Sequence, residues 1–171
     1  LALPQTALLI LPGQQGLSLA VSPDGTRVVY AGGGSGATQL YLRTLDQLQP
    51  TPIPGTTGAD SPFFSPDGQW VAFFAGSQLK KVALAAGAPT ILCDAGGISR
   101  GGTWGPEGQI IFAPAANTGL MRISAGGGGA PQAVTTLDSQ KGARSDRWPQ
   151  LLPGGKAVLF TVESEGDATF D

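Results

Sequence analysis

The sequence predicts an all-β protein made of repeated four-stranded antiparallel sheets, and three observations support this fold class. A Ser-Pro-Asp-Gly tetrad occurs twice, at 22–25 and 65–68, each time before a short apolar run. Two degenerate copies follow in the same setting, at 105–108 and 152–155. Glycine and proline contribute 27 and 14 of the 171 residues, and no segment of helical length keeps apolar residues at helical spacing without one of them.

Each tetrad has the composition of a turn between two antiparallel strands. In a type I turn, serine suits the first position, proline pre-sets the second, aspartate tolerates the third and glycine suits the fourth. The residues assigned to structural turns are Pro23, Asp24, Gly25, Pro66, Asp67, Gly68, Pro106, Gly108, Pro153 and Gly155. A metal site at Asp24, Asp67 and Glu107 is the alternative, but we expect these carboxylates to cap their own turns.

The spacing of the turns indicates the architecture. Their prolines are separated by 43, 40 and 47 residues, and a four-stranded propeller blade takes about 40–45 residues. We therefore expect a single partial β-propeller domain over residues 1–171, with about three and a half blades. The expected blades are 17–55, 61–94, 99–137 and an incomplete 145–171, and 7–12 is a candidate outer strand of another blade.

The strands within each unit follow one order. After each turn comes a nearly continuous apolar run, which is typical of a strand covered on both faces, as the middle strands of a stacked blade are. These runs are RVVYA, WVAFFA, QIIFAP and KAVLFTV. Alternating third strands are expected at 39–45, 78–84 and 119–125, and outer strands at 50–55, 88–94 and 131–137. Prolines in the first outer strand are consistent with a sheet edge.

The repeat resembles that of TolB-like, WD-repeat-like β-propellers, whose hallmark is the Ser-Pro-Asp-Gly hairpin followed by an apolar strand. Segments 40–95 and 147–171 also resemble the C-terminal propeller of bacterial membrane-anchored Ser/Thr protein kinases. The resemblance implies a non-catalytic binding or sensing module, extracytoplasmic or periplasmic in a bacterium. It also implies that the natural protein continues past Asp171, because such propellers usually have more blades.

An unclosed ring predicts a partner, because it leaves apolar blade faces and strand edges bare. We expect these surfaces to be covered by the missing blades of a longer chain or by a second copy that completes the ring. The net charge of -2 gives no reason to expect nucleic acid as a partner. No apolar run approaches the ~20 residues of a membrane span, so we expect no membrane insertion by this segment.

The residue inventory argues against catalysis. Histidine is absent, which excludes Ser-His-Asp and Cys-His arrangements and removes the commonest neutral metal ligand. Kinase motifs are absent too, and GGGSG at 32–36 lacks the Gly-Lys-Ser/Thr that a phosphate loop needs. We therefore assign no catalytic residue, no metal and no cofactor. Catalysis by Ser-Lys or by paired carboxylates stays open, and a propeller hydrolase or lyase is the less favoured alternative.

Three other features have a structural and a functional interpretation. Cys93 ends an apolar strand, which predicts a buried, unreactive thiol. The acidic stretch 163–171 has oxygen ligands that suit Ca²⁺ but no EF-hand spacing, and we interpret it as a solvated loop. Trp70, Trp104 and Trp148 lie in or beside the first hairpins, where core packing is expected and a stacking platform is the alternative.

The candidate binding site is one mouth of the propeller channel, where the loops that enter the innermost strands gather. These loops carry Asp60, Arg100, Arg144, Asp146 and Arg147. Because arginine can hold a carboxylate or phosphate through two hydrogen bonds, we predict that this mouth binds a protein or a small anionic ligand. Pairing of the arginines with the two aspartates is the alternative. A self-assembling scaffold without any ligand is the alternative function.

Overall fold

The computed structural model describes residues 19–33 and 37–165. The candidate outer strand at 7–12 and the end of the acidic stretch lie outside these residues, as does most of the GGGSG segment. Within them the chain forms fourteen β-strands and a short 3-10 helix at Ser139–Lys141. The predicted all-β fold with four-stranded antiparallel blades is confirmed.

The strands form four sheets in chain order, and hydrogen-bonded neighbours within each sheet are consecutive in sequence. Blade 1 contains β1 (Leu19–Val21), β2 (Arg27–Gly32), β3 (Gln39–Thr44) and β4 (Thr51–Pro52). Blade 2 contains β5 (Ala59–Phe64), β6 (Trp70–Ala75), β7 (Gln78–Ala83) and β8 (Thr90–Asp94). Blade 3 contains β9 (Gly102–Trp104), β10 (Gln109–Phe112), β11 (Met121–Ser124) and β12 (Gln132–Ala133), and blade 4 contains β13 (Ala143–Leu151) and β14 (Val158–Ser164).

The Ser-Pro-Asp-Gly turns are closed by their own side chains. In the turn between β1 and β2, Ser22 Oγ donates to Asp24 Oδ1 at 2.5 Å, and the same carboxylate oxygen accepts from the Thr26 amide at 3.0 Å. Gly25 adopts the left-handed conformation with φ 72°, which glycine reaches without steric cost. The hydrogen bond from Ser22 is the main reason why the pKa of Asp24 falls to about 2.

The second tetrad repeats these contacts, and the degenerate copies keep only the backbone geometry. Ser65 Oγ donates to Asp67 Oδ1 at 2.5 Å between β5 and β6, with Gly68 at φ 66°. In the third and fourth turns, the amides of Gly108 and Gly155 close the turn on the carbonyl three residues earlier, at 3.2 and 3.0 Å. Proline and a left-handed glycine are therefore sufficient for the turn.

The core lies between the blades rather than within one sheet. Strand β6 shows this most clearly, because alternate side chains of a strand point to opposite faces. Val71 and Phe73 belong to a buried cluster shared with blade 1, whereas Ala72 and Phe74 belong to one shared with blade 3. A third cluster joins blades 3 and 4 through Ile111 and the half-buried residues that pack against it. The nearly continuous apolar character of the middle strands follows from this stacking.

The first strand of each blade lies on the axial side, and together these strands form a groove. Strand β5 contacts β1 on one side and β9 on the other, and β9 contacts β13. An axial groove of about 420 Å³ is lined by residues from all four of these strands, among them Leu19, Phe63, Trp104 and Gln150. The blades therefore surround a common axis, as in a propeller.

Candidate functional site

The innermost strands of blades 2 and 4 have an irregular backbone, and of the candidate residues only Arg100 lies in a loop before its strand, because β5 already contains Asp60 and β13 contains the other three. In β5 the register shifts between Asp60 and Phe63, and in β13 it shifts between Arg147 and Gln150. Such bulges are common next to binding sites, where they redirect a side chain.

A left-handed residue directly follows Asp60, Arg100 and Arg147. Ser61, Gly101 and Trp148 have φ of 47°, 87° and 49°. Only glycine adopts this conformation freely, so the serine and the tryptophan hold strain of about 1–3 kcal/mol each. We call Asp60, Arg100 and Arg147, together with these three residues, the strand-entry rim.

The rim residues occupy equivalent places in the repeat. Asp60, Arg100 and Arg147 are separated by 40 and 47 residues, the same intervals that separate the turn prolines of blades 2, 3 and 4. The turns lie at the opposite end of the innermost strands. One end of the propeller therefore carries the turns, and the other carries the rim.

Two of the three side-chain nitrogens of Arg100 are buried without a partner. The residue is 9% exposed, and its Nε and Nη1 atoms are sealed from solvent with no hydrogen-bond acceptor. Its backbone is held firmly, because the amide donates to the Ala113 carbonyl at 3.0 Å and the carbonyl accepts from the Trp148 amide at 2.7 Å. Burial lowers the pKa of Arg100, the charge of Arg147 lowers it further, and Glu163 opposes both effects. Such a guanidinium has unused capacity to bind an acceptor.

Arg147, by contrast, has its charge compensated. Its Nη2 atom pairs with Glu163 Oε2, and its Nε atom donates to Ser145 Oγ at 2.8 Å. Glu163 lies on the neighbouring strand β14, so the ion pair joins the two strands of blade 4. Arg147 therefore places a second positive charge near Arg100 without being available itself.

Asp60 lies on the blade 2 side of the rim and is half-buried. Its Oδ1 atom accepts from Ser99 Oγ at 2.9 Å, which connects it to the residue that precedes Arg100. Burial raises the pKa of Asp60, whereas the hydroxyls of Ser99 and Ser61 lower it. Ser61 Oγ is near enough to affect this carboxyl, yet it makes no hydrogen bond of good geometry and is buried.

The other two candidate residues take part in different interactions. Asp146 is 4% exposed, and its Oδ2 atom accepts from Thr135 Oγ1, which ties β13 to the loop after β12. Arg144 is exposed and donates to Glu165 Oε1 at 2.8 Å. The structure thus brings Arg100 and Arg147 together with Glu163, and it places Arg144 and Asp146 in separate contacts. Neither arginine of the rim pairs with Asp60 or Asp146.

Cys93 and the acidic side chains form no evident reactive centre among the described residues. Burial, and then the charge of Asp94, raises the pKa of Cys93 to about 11, which disfavours the thiolate at neutral pH. In the ranges 19–33 and 37–165, no group of three or more His, Cys, Asp or Glu side chains is arranged to hold a metal. The same ranges contain no helix that is long and apolar enough to span a membrane.

Sequence reasoning did not identify Ser61, Ser99 and Glu163 as neighbours of the predicted site. Ser61 has a detectable signal, since it precedes a proline at the same repeat position as Trp148. Glu163 has none, because only the register of β13 and β14 places it beside Arg147.

The comparisons with known proteins identify the fold. No family model matches the chain, and no curated protein matches it. A solved TolB of Agrobacterium tumefaciens is similar, with 20% identity and a TM-score of 0.74 over 90% of this chain and 56% of that one. The TolB of Acinetobacter baumannii has 21% identity and a TM-score of 0.72, over 88% of this chain and 38% of that one.

An enzyme shares the same architecture. Hydrazine synthase of Kuenenia stuttgartiensis matches with 14% identity and a TM-score of 0.68, over 96% of this chain and 46% of that one. At such identities the likeness shows the fold alone, a TolB-like β-propeller. The chain spans between 38% and 56% of the length of these three proteins.

Proposed function

We propose that the chain is a non-catalytic binding module and that its ligand, a protein or a small anionic molecule, binds at the strand-entry rim. The observation that carries the proposal is the buried guanidinium of Arg100, whose Nε and Nη1 atoms have no acceptor. A buried donor without a partner costs free energy, and a ligand that supplies the acceptor recovers it. The strained conformations of Ser61 and Trp148 at the same end support this location.

The proposal includes a setting for the module in a larger protein. The sequence resemblance of segment 40–95 to kinase-linked propellers supports an extracytoplasmic sensor region of a bacterial Ser/Thr kinase. In that setting, the apolar faces of the end blades are covered by further blades of the same protein. Resemblance supports this setting, whereas the rim geometry supports the binding site.

Two-dimensional NMR of the ¹⁵N-labelled protein tests the binding function. We would screen libraries of peptides and metabolites and map the amides that shift. Saturable shifts at Ser61, Gly101 and Trp148, with the outer strands unchanged, are expected for a rim ligand. Shifts that lie only elsewhere, or no saturable shift from either library, would contradict the proposal.

A self-assembling scaffold is the second candidate function, and exposed apolar side chains favour it. Leu159 in β14 is 64% exposed, and Val21 in β1 is 54% exposed, so both end blades present apolar surface. Analytical ultracentrifugation over a range of protein concentrations separates the two functions. If the chain is a scaffold, Leu159→Lys should disrupt its assemblies and Arg100→Met should leave them intact. If the chain is a binding module, Leu159→Lys should still bind the ligand.

A further inference from the structure

The charges around Arg100 are unbalanced by one positive unit. Arg100 and Arg147 lie close enough for the charge of the second to act on the first, and Glu163 is the carboxylate whose charge reaches both. Glu163 is hydrogen-bonded to Arg147 rather than to Arg100. Two guanidinium groups and one carboxylate leave a single excess positive charge, and it lies on a side chain that is nine-tenths buried.

This balance favours a singly charged anion over a doubly charged one. A carboxylate carries one negative charge and would neutralise the excess. A phosphate group carries about -1.5 to -2 at pH 7 and would add surplus negative charge beside Glu163. In a site that excludes water such repulsion is weakly screened, so the difference is expected to affect affinity.

The shape of the acceptor also suits the guanidinium. A planar carboxylate forms two parallel hydrogen bonds with adjacent nitrogens of arginine. Whichever edge of the guanidinium it uses, that edge includes Nε or Nη1, the two atoms that lack an acceptor. The backbone of Arg100 is held by hydrogen bonds on both its amide and its carbonyl, so the point from which the side chain extends is fixed.

We propose that Arg100 is the receptor for a carboxylate group of the ligand, which names the ligand chemistry of the binding function proposed above and rests on it. Arg147 is a positioning residue. It contributes positive potential and stays paired with Glu163. Trp148 lies beside the receptor, because its amide donates to the Arg100 carbonyl at 2.7 Å. The residue is 39% exposed, and its amide signal is expected to report occupancy of the receptor.

Acetate and acetamide provide a matched pair of probes, since they have the same shape and differ in charge. Each is titrated into the ¹⁵N-labelled protein at pH 7, with sodium chloride adjusted to hold the ionic strength constant. We expect saturable shifts of the Gly101 and Trp148 amides with acetate and none with acetamide. Inorganic phosphate is the third probe and is expected to bind more weakly than acetate.

Arg100→Met and Arg100→Lys test the receptor, and Arg122→Met is the matched control because it removes an exposed arginine of β11, outside the rim. Arg100→Met is expected to weaken acetate binding by at least about tenfold, so that its titration no longer saturates. Arg100→Lys keeps the charge but not the planar fork, and an intermediate affinity is expected. Arg122→Met is expected to bind acetate as the wild type does.

Four results would overturn the assignment: equal acetate binding by wild type and Arg100→Met, equal shifts with acetamide, tighter binding of phosphate than of acetate, or no saturable shift with acetate. The binding function itself is judged by the library screen. A library ligand at the rim that lacks a carboxylate would leave that function standing and refute the carboxylate receptor alone.

Discussion

Replacing Arg100 with methionine should make the unliganded protein more stable. The guanidinium is 9% exposed, and two of its nitrogens lack acceptors. Each unsatisfied buried donor costs about 1–3 kcal/mol, and methionine retains an unbranched apolar stem without those donors. The substitution also removes the attraction between Arg100 and Glu163 and the repulsion between Arg100 and Arg147, and these two changes have opposite effects on stability. We expect a net gain of about 1–2 kcal/mol in the free energy of unfolding.

Urea unfolding and differential scanning calorimetry measure this gain. For a domain of this size, each kcal/mol raises Tm by about 2–4 °C, so a rise of about 2–8 °C is expected. Arg144→Met removes the same charge from an exposed ion pair and should change Tm little. A lower Tm for Arg100→Met would mean that the guanidinium has an acceptor in the folded protein, and the argument for an unoccupied receptor would fail.

Three further substitutions test the architecture and the turns. Gly102→Ala places a Cβ atom 2.6 Å from a buried aromatic ring of β5 and should lower the free energy of unfolding, measured in urea, by about 1–3 kcal/mol. Gly97→Ala is the control, because its Cβ atom meets nothing within 4 Å and its free energy of unfolding should be nearly unchanged. Phe73→Ala empties a site that is 0% exposed and should cost about 3–5 kcal/mol by the same assay; a cost below 1 kcal/mol would contradict the stacked-blade core. Ser22→Ala should raise the pKa of Asp24 from about 2 towards its usual value in a carboxyl NMR titration, and an unchanged pKa would refute the assigned cause. The depressed pKa gives the folded protein stability that is present above pH ~4 and is lost as the pH falls towards ~2, so the variant should lose this pH dependence.

The fold was predictable because its determinants are local and repeated. Proline and left-handed glycine define each turn, and the tetrads at 22–25 and 65–68 add a serine and an aspartate that close it. The period of these turns then indicates blades. The outer strands were less predictable: β4 and β12 are two residues long, shorter than the apolar or proline-containing segments that predicted them. Edge pairing depends on a neighbouring strand, which a local pattern does not specify.

The candidate site was predictable in position but not in its pairings. Arg100 lies in the loop before β9, as the sequence predicts, whereas Arg147 lies within β13 rather than in a loop; the repeat spacing still gives the two arginines equivalent places. Which carboxylate approaches which arginine depends on strand register and on bulges, and these bring Glu163 to Arg147 from 16 residues away. Asp146, directly before Arg147 in the same strand, accepts a hydrogen bond from Thr135 instead, because successive side chains of a strand face opposite sides.

The two ends of the innermost strands differ in how well their polar groups are satisfied, and this difference is the strongest physical argument for which end binds. At the turn end, the hydroxyls of Ser22 and Ser65 and the carboxylates beside them are all hydrogen-bonded. At the rim, Ser61 and Arg100 have buried atoms without partners, and Trp148 has a strained backbone. Repeated units of one design have no packing reason to be satisfied at one end and strained at the other. Unsatisfied and strained groups cluster at functional sites, and this asymmetry supports our proposal that the ligand binds at the rim.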